Sequence, residues 1–329
     1  MQRLEERTGM TEECIHCGAC TRHCAFLDKY QMDIGDETQV EKLAYHCFLC
    51  GKCESVCPVG INGKERFLEK RREKTRNNNG KITEDGYEML IKEKQNYLFR
   101  NYRNVTSGRV LFPGCNFPSF YPQTTKKLAA LLKKEAGIGT VYDCCGKPIA
   151  ELGLEDQEKK IIQRINQGFR DAGVTEVIMI CPNCYYFLKD KIDIKVTGIY
   201  ELLGELGIGK KIKTKEIHLF TPCPDKEIRL WQKHMKPYLP EKVHVIMDIQ
   251  CCGLGGCARA KEPEISRGFT DSLKQAGYDS IYTYCGSCAG KFVRDQMKGV
   301  HHILADILET GEEPDVAKSM VNRAMSRFW

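Results

Sequence analysis

The sequence predicts a small helical, cysteine-rich domain followed by two tandem α/β units of common design. Three observations predict it. Eighteen of the 19 cysteines fall into four groups, and the last two groups repeat at a near-constant displacement. Around those two groups, short apolar strands alternate with amphipathic helices. At 329 residues the chain is too long for a secreted scaffold that uses disulfides in place of a core, so the thiols read as ligands. A hydrophobic content of 42 % supports about two to three packed domains. Met1 to Met10 (MQRLEERTGM) lacks an apolar signal core, and no window approaches the roughly 18 apolar residues of a spanning helix. The expected location is cytoplasmic. The net charge of +6 is mild, and its concentration between Lys64 and Lys81 reads as a solvated helix and linker rather than a nucleic-acid reader.

The helical domain, 1–76, carries two runs of C-x2-C-x2-C-x3-C: Cys14, Cys17, Cys20, Cys24, and Cys47, Cys50, Cys53, Cys57 followed by Pro58. A loop turning through CxxCxxC points three thiolates into one volume, and the fourth ligand comes from elsewhere. In two-cluster ferredoxins the fourth cysteine of each run serves the other cluster. Cys57 is therefore expected to join Cys14, Cys17 and Cys20 on one cubane [4Fe-4S] cluster, and Cys24 to join Cys47, Cys50 and Cys53 on a second. Zinc, which needs four ligands and no evenly spaced third cysteine, is the alternative. Ala25 stands after Cys24 where the second run has proline, which affects the turn more than ligation. Between the runs a helix is expected from Thr38 to Tyr45, opened near Asp36, with Val40, Leu43 and Ala44 apolar. A charged helix follows from Asn62 to about Arg76. Asn77, Asn78, Asn79 and Gly80 interrupt it, marking a linker over 77–108.

Past the linker VLFPGC is echoed by HLFTPC, DCCG by QCCG, and CPNC by CGSC, at offsets of 108, 107 and 104 residues. Preserved order and spacing indicate duplication of one unit, over 109–210 and 211–329. In each, a strand (Arg109 to Phe112; Ile217 to Phe220) leads to the first cysteine, and a helix follows (Gln123 to Ala136; Lys226 to Tyr238). A second strand (Thr140 to Tyr142; Val243 to Met247) leads to the cysteine pair. A long helix (Asp156 to Ala172; Glu262 to Ala276) and a third strand (Glu176 to Ile180; Ser280 to Tyr284) then reach CxxC. Parallel sheets packed as a pseudo-twofold pair, with the cysteines at strand carboxyl ends, are the expected arrangement. Five thiolates per unit exceed what a simple cube requires, and the adjacent pair suits two different irons of a more open cluster. The alternative for either unit is a structural zinc on CxxC and one or two other thiolates.

The two sets, C-x28-C-C-x35-C-x2-C and C-x27-C-C-x32-C-x2-C, resemble the paired CCG domains of heterodisulfide reductase. With the ferredoxin runs fused in front, nearly the whole chain is similar to the D-type subunit of that family. It also resembles the iron-sulfur subunits of glycerol-3-phosphate, glycolate and lactate dehydrogenases. The resemblance implies a helical two-cluster ferredoxin domain followed by two tandem α/β CCG domains. It implies one noncubane [4Fe-4S] cluster on Cys115, Cys144, Cys145, Cys181 and Cys184, and another on Cys223, Cys251, Cys252, Cys285 and Cys288. Relatives with incomplete sets can carry zinc in place of one of them. The reaction implied is reduction of a disulfide or heterodisulfide between the two CCG clusters, fed by the cubanes. The alternative is an electron relay between a flavoprotein dehydrogenase and a quinone or other acceptor. Either role requires a flavoprotein or other redox partner in a heteromeric complex, since no flavin or nicotinamide motif is visible and GLGG lacks the dinucleotide spacing. A membrane would be reached only through such a partner.

Remaining candidates are Cys257, as an extra ligand, a redox thiol or a small buried hydrophobe, and Lys147, as an anion-orienting group or a surface lysine. His16, His23 and His46 read as solvated or supporting residues. Tyr185 with Tyr186 reads as packing, and His301 with His302 as surface.

Overall fold

The computed structural model describes residues 13–329; Met1 to Met10 lies outside the described residues. Short helices Ala19–Arg22, Ala25–Lys29, Glu37–Lys42 and Lys52–Ser55 enclose Phe26, Leu27, Ile34, Val40 and Phe67. Asp36 opens the helix at Glu37 by accepting from the Gln39 amide at 3.1 Å. That helix ends at Lys42 and a 3-10 turn, Ala44–His46, completes the segment expected to be helical to Tyr45. Asn62 caps Gly63–Asn77 in the same way, accepting from Glu65 N at 2.9 Å. The buried face of this charged helix is Phe67, Leu68, Arg71 and Thr75, one stripe at helical spacing.

The segment expected to be a linker contains a helix, Glu88–Gln95, and a strand β1 (Asn101–Asn104). Its asparagine run does stop the preceding helix, but the polar β1 pairs antiparallel with β3 (Gly139–Tyr142), Asn101 opposite Tyr142. With β2 (Arg109–Phe112), β4 (Glu176–Met179) and β5 (Lys195–Gly198) it forms a sheet of order β1-β3-β2-β4-β5, parallel except at β1. The second sheet, all parallel, is β7-β6-β8-β9, from β6 (Glu216–Phe220), β7 (Lys242–Val245), β8 (Ile281–Thr283) and β9 (Val300–His302). Apart from β1, the two sheets share one strand order. The long helices Pro122–Ala136, Glu155–Asp171 and Pro263–Gln275 lie within a residue of expectation.

The helix expected from Lys226 to Tyr238 is broken. Asp225 is buried and its carboxylate accepts from Trp231 N, Tyr284 OH and Tyr186 OH. Drawn around that carboxylate, the chain passes through Arg229 at φ 53° and only Leu230–Met235 is α-helical. The Tyr186 contact crosses between the sheets, so that tyrosine packs as expected. His302 is buried rather than at the surface: its ring lies 4.9 Å from Phe117 and 5.0 Å from Tyr121, and Nδ1 caps the next helix by accepting from Leu304 N. Burial lowers its pKa to about 3, so it is neutral. His301 stacks on Tyr282 at 4.8 Å.

The helical part is fastened to both sheets by two buried side chains. Arg71, fully buried, donates to Ala44 O (2.8 Å), Cys47 O (2.7 Å), Glu151 O (2.6 Å) and Gly256 O (2.7 Å). Glu262, also buried, accepts from Lys29 (2.7 Å), Tyr30 (2.7 Å) and His46 (2.6 Å). Among the described residues no helix is long and apolar enough to cross a membrane.

Substituting Arg71→Met is expected to cost about 3 kcal/mol or more, because buried carbonyls are left without donors. Arg71→Lys should recover little of it, since an ammonium cannot match the guanidinium fork. Thermal melting of the anaerobically prepared chain measures both; an unchanged midpoint for the methionine variant would contradict the role.

Candidate functional site

Both ferredoxin loops have the same backbone. The residue before the second cysteine is left-handed in each, His16 at φ 50° and Leu49 at φ 49°. So is the glycine after it, Gly18 at 67° and Gly51 at 79°. These reversals turn CxxCxxC into a bowl, and each glycine starts the short helix that carries the third cysteine. Cys14, Cys17, Cys20 and Cys57 line one hollow with Pro58. Cys24 lies beside Cys50, Cys47 and Cys53 instead of its own run. Two glycines that sequence reasoning did not single out keep sulfur space open. A Cβ on Gly35 would fall 2.6 Å from Cys14 Sγ, and one on Gly63 would fall 2.6 Å from Cys53 Sγ.

The ten remaining paired-set cysteines follow strand carboxyl ends and gather in a continuous line. In the first unit Cys115 neighbours Cys144, Cys144 neighbours Cys145, Cys145 neighbours Cys184, and Cys184 neighbours Cys181. The second unit repeats the sequence of contacts as Cys223, Cys251, Cys252, Cys288 and Cys285. The lines meet at equivalent residues, Cys181 beside Cys285. Cys251 also touches Cys50, so the ferredoxin module reaches the second set directly.

A cavity of about 940 Å³ opens along this line, lined by thiols of both sets together with Cys50 and Cys257. Lys94 enters it from the segment expected to be a linker, with Nζ 3.5 Å from Cys115 Sγ and 2.9 Å from Glu93. Burial alone would lower its pKa, but the Cys115 and Cys144 sulfurs and Glu93 raise it and keep it charged. Arg323, far along the sequence, bonds Glu93 at 2.6 Å and Asn116 at 2.9 Å beside the same thiols. Lys147 also lines the cavity and pairs with Glu151. Its pKa is raised too: burial opposes the charge, and Glu151 with the sulfurs Cys145 and Cys223 outweighs that. Lys147 is therefore a cavity residue and not a plain surface lysine.

The donor chemistry fits metal clusters. All 19 cysteines are free thiols. Burial pushes Cys47 up to about 12 and Cys24 up to about 11. Cys145 lies well below the ordinary thiol range, held there by the flanking thiols of Cys144 and Cys184. Cys252 is held likewise by Cys251 and Cys288. So many buried sulfurs become thiolates together only around cations, which bound irons supply. The histidines are occupied elsewhere: His16 with Asp33 (2.9 Å), His23 with the Ala19 carbonyl (2.9 Å) and His46 with Glu262. Cys17 is exposed, at the outer end of the module.

The model of the 4Fe-4S dicluster domain matches residues 10–61, and that of the cysteine-rich CCG domain matches 110–189 and 219–293. The chain belongs to the CCG-domain iron-sulfur proteins. Similar CCG proteins include a subunit of the fumarate reductase (CoM/CoB) of Methanothermobacter marburgensis, 24 % identical over 84 % of this chain and 66 % of that one. The D-type subunit of the dihydromethanophenazine:CoB–CoM heterodisulfide reductase of Methanosarcina acetivorans is 23 % identical over 79 % of this chain and 74 % of that one. The EtfAB:quinone oxidoreductase of Syntrophomonas wolfei is 25 % identical over 58 % of this chain and 26 % of that one. Against the first of these the chain spans just under two thirds of the relative's length, 66 %.

Cys257 stands apart from the line: its Sγ faces the Pro148 carbonyl at 3.8 Å, and burial, with Glu151 nearby, pushes its pKa up to about 12. Cys257→Ser should leave iron and labile sulfide per chain unchanged, whereas Cys252→Ser should lower both. Colorimetric iron and sulfide analysis of the anaerobic proteins checks this; an equal loss in the two variants would make Cys257 a ligand.

Proposed function

We propose that this chain is the disulfide-reducing iron-sulfur subunit of a heteromeric complex. The observation that carries this reading is the single cavity onto which both five-cysteine sets and the inner ferredoxin loop face. In it Cys14, Cys17, Cys20 and Cys57 hold one cubane cluster, and Cys24, Cys47, Cys50 and Cys53 a second. The two CCG sets each hold a noncubane [4Fe-4S] cluster. Bound clusters supply one-electron storage and delivery, and an iron that a substrate sulfur can reach.

The chain's own residues do the rest. Arg71 and Glu262 fix the ferredoxin module against the sheets, so that the Cys50 and Cys251 loops stay in contact. The buried strand ends exclude water from the ten CCG thiols. Lys94 and Lys147 place positive charge where reduction of a disulfide leaves two thiolates, RSSR + 2 e⁻ → 2 RS⁻, each of which takes a proton on release. Head-to-head contact of Cys181 and Cys285, together with the common strand order, supports a duplicated unit arranged about a pseudo-twofold axis. A cytoplasmic location and a flavoprotein partner complete the proposal, since nothing in the sequence collects electron pairs from a nicotinamide donor.

The likeness to a quinone oxidoreductase favours a second reading, in which the same centres only relay electrons from a flavoprotein toward a quinone or other acceptor.

About sixteen irons per chain without zinc are expected, four in each of four clusters. About twelve with one zinc would leave a single noncubane site. Adding candidate disulfides to the anaerobically oxidised protein should produce a substrate-dependent paramagnetic signal, and Cys144→Ser or Cys251→Ser should abolish it while sparing the cubane signals. Electron flow to quinone analogues with no response to any disulfide would select the relay. An active lone monomer from the native host would contradict the complex.

A further inference from the structure

We propose that Gln250 is a positioning residue that raises the potential of the centre on Cys24, Cys47, Cys50 and Cys53 and ties it to the second CCG set. This rests on the reading above that those thiolates hold an iron-sulfur centre. Gln250 directly precedes the Cys251 and Cys252 pair, yet its side chain turns toward the ferredoxin module. Nε2 lies 3.3 Å from Cys24 Sγ and 3.5 Å from Cys50 Sγ. The orientation of the amide is fixed, because Oε1 accepts from Ala25 N at 3.0 Å and a backbone N–H leaves only the oxygen for that place. The NH2 group must therefore face the sulfurs. The Gln250 carbonyl accepts from Lys226 Nζ at 3.2 Å, with the Ile249 carbonyl at 3.0 Å, which pins the backbone leading to Cys251.

The equivalent residue of the first unit is Asp143, and it does something else. It is buried, accepts from Arg164 (3.1 Å), Tyr102 OH (3.0 Å) and Cys144 N (2.7 Å), and faces no ferredoxin thiol. The difference between DCCG and QCCG thus marks the one CCG set that meets the ferredoxin module, where Cys251 also touches Cys50.

An N–H donated to a ligating sulfur disperses the negative charge that reduction adds, so the reduced state gains more than the oxidised one and the potential rises. A raised potential makes the inner centre the favoured acceptor from the outer one, next to its exit toward Cys251. Each transfer moves one electron and breaks no bond; the reductant is a low-potential one-electron donor, dithionite in the test.

The experiment is a potentiometric titration of the full, anaerobically loaded chain followed by EPR, comparing Gln250→Glu, Gln250→Leu and Asp143→Asn. Gln250→Glu keeps the side-chain shape and removes the donor, so it reads the potential even if the leucine variant loads poorly. In both Gln250 variants one cubane signal is expected to lose at least tenfold in its reduced-to-oxidised ratio at fixed potential, ~59 mV for one electron. The other signal and the iron content should stay put, and Asp143→Asn should move neither cubane. Unmoved signals in Gln250→Glu, or equal shifts in both cubanes, overturn the inference. Absence of two cubane signals from the unsubstituted chain would instead overturn the reading beneath it.

Discussion

The arrangement depends on one buried cation. Arg71 spends all of its reach on main-chain carbonyls drawn from three places: Ala44 and Cys47 in the ferredoxin module, Glu151 in the first unit and Gly256 in the second. A side chain hydrogen-bonded in this way holds backbone, not neighbouring side chains, so it fixes the relative placement of loops whose sequences lie far apart. Glu262 adds a second, oppositely charged anchor on the ferredoxin face. Tunnelling between metal centres is steep in distance, and such centres need a rigid frame; here the frame converges on the loop that contains Cys47 and Cys50.

The thiols are the other side of the same constraint. Packed this closely and buried, they repel one another as thiolates and are costly to ionise as isolated groups. The alternation of raised and lowered pKa values along the line, with Cys145 and Cys252 low between high neighbours, is how a crowd of sulfurs shares charge without a cation. Lys94, Lys147 and Arg323 offset part of the negative charge, mostly near the first unit. The ferredoxin contact falls at the second.

Much of this was legible in the sequence, for physical reasons that are local. Strands such as Arg109–Phe112 and Glu176–Met179 are short apolar runs ended by turns, and Asp36 and Asn62 are helix caps that act on residues two or three positions away. The grouping of Cys24 with the second run was legible from the spacing of the runs and the ligand exchange of two-cluster ferredoxins. What escaped depended on distant partners. The polar β1 finds its place only because β3 offers an edge, and the helix after Cys223 fails only because buried Asp225 takes Trp231 N. His302 looks like a surface residue until Phe117 and Tyr121, from the other unit, cover it. Lys94 and Arg323 carry no motif, and Gln250 differs from its counterpart Asp143 by a change that a repeat alignment treats as noise.

The exposure of Cys17 gives the chain a vulnerable end. Dioxygen and peroxide diffusing from bulk water meet the outermost sulfurs long before the interior ones, so oxidative damage starts at the electrical inlet. A molecule corroded there keeps an intact reaction chamber with no supply, and it falls silent rather than leaking reducing power into the wrong acceptor.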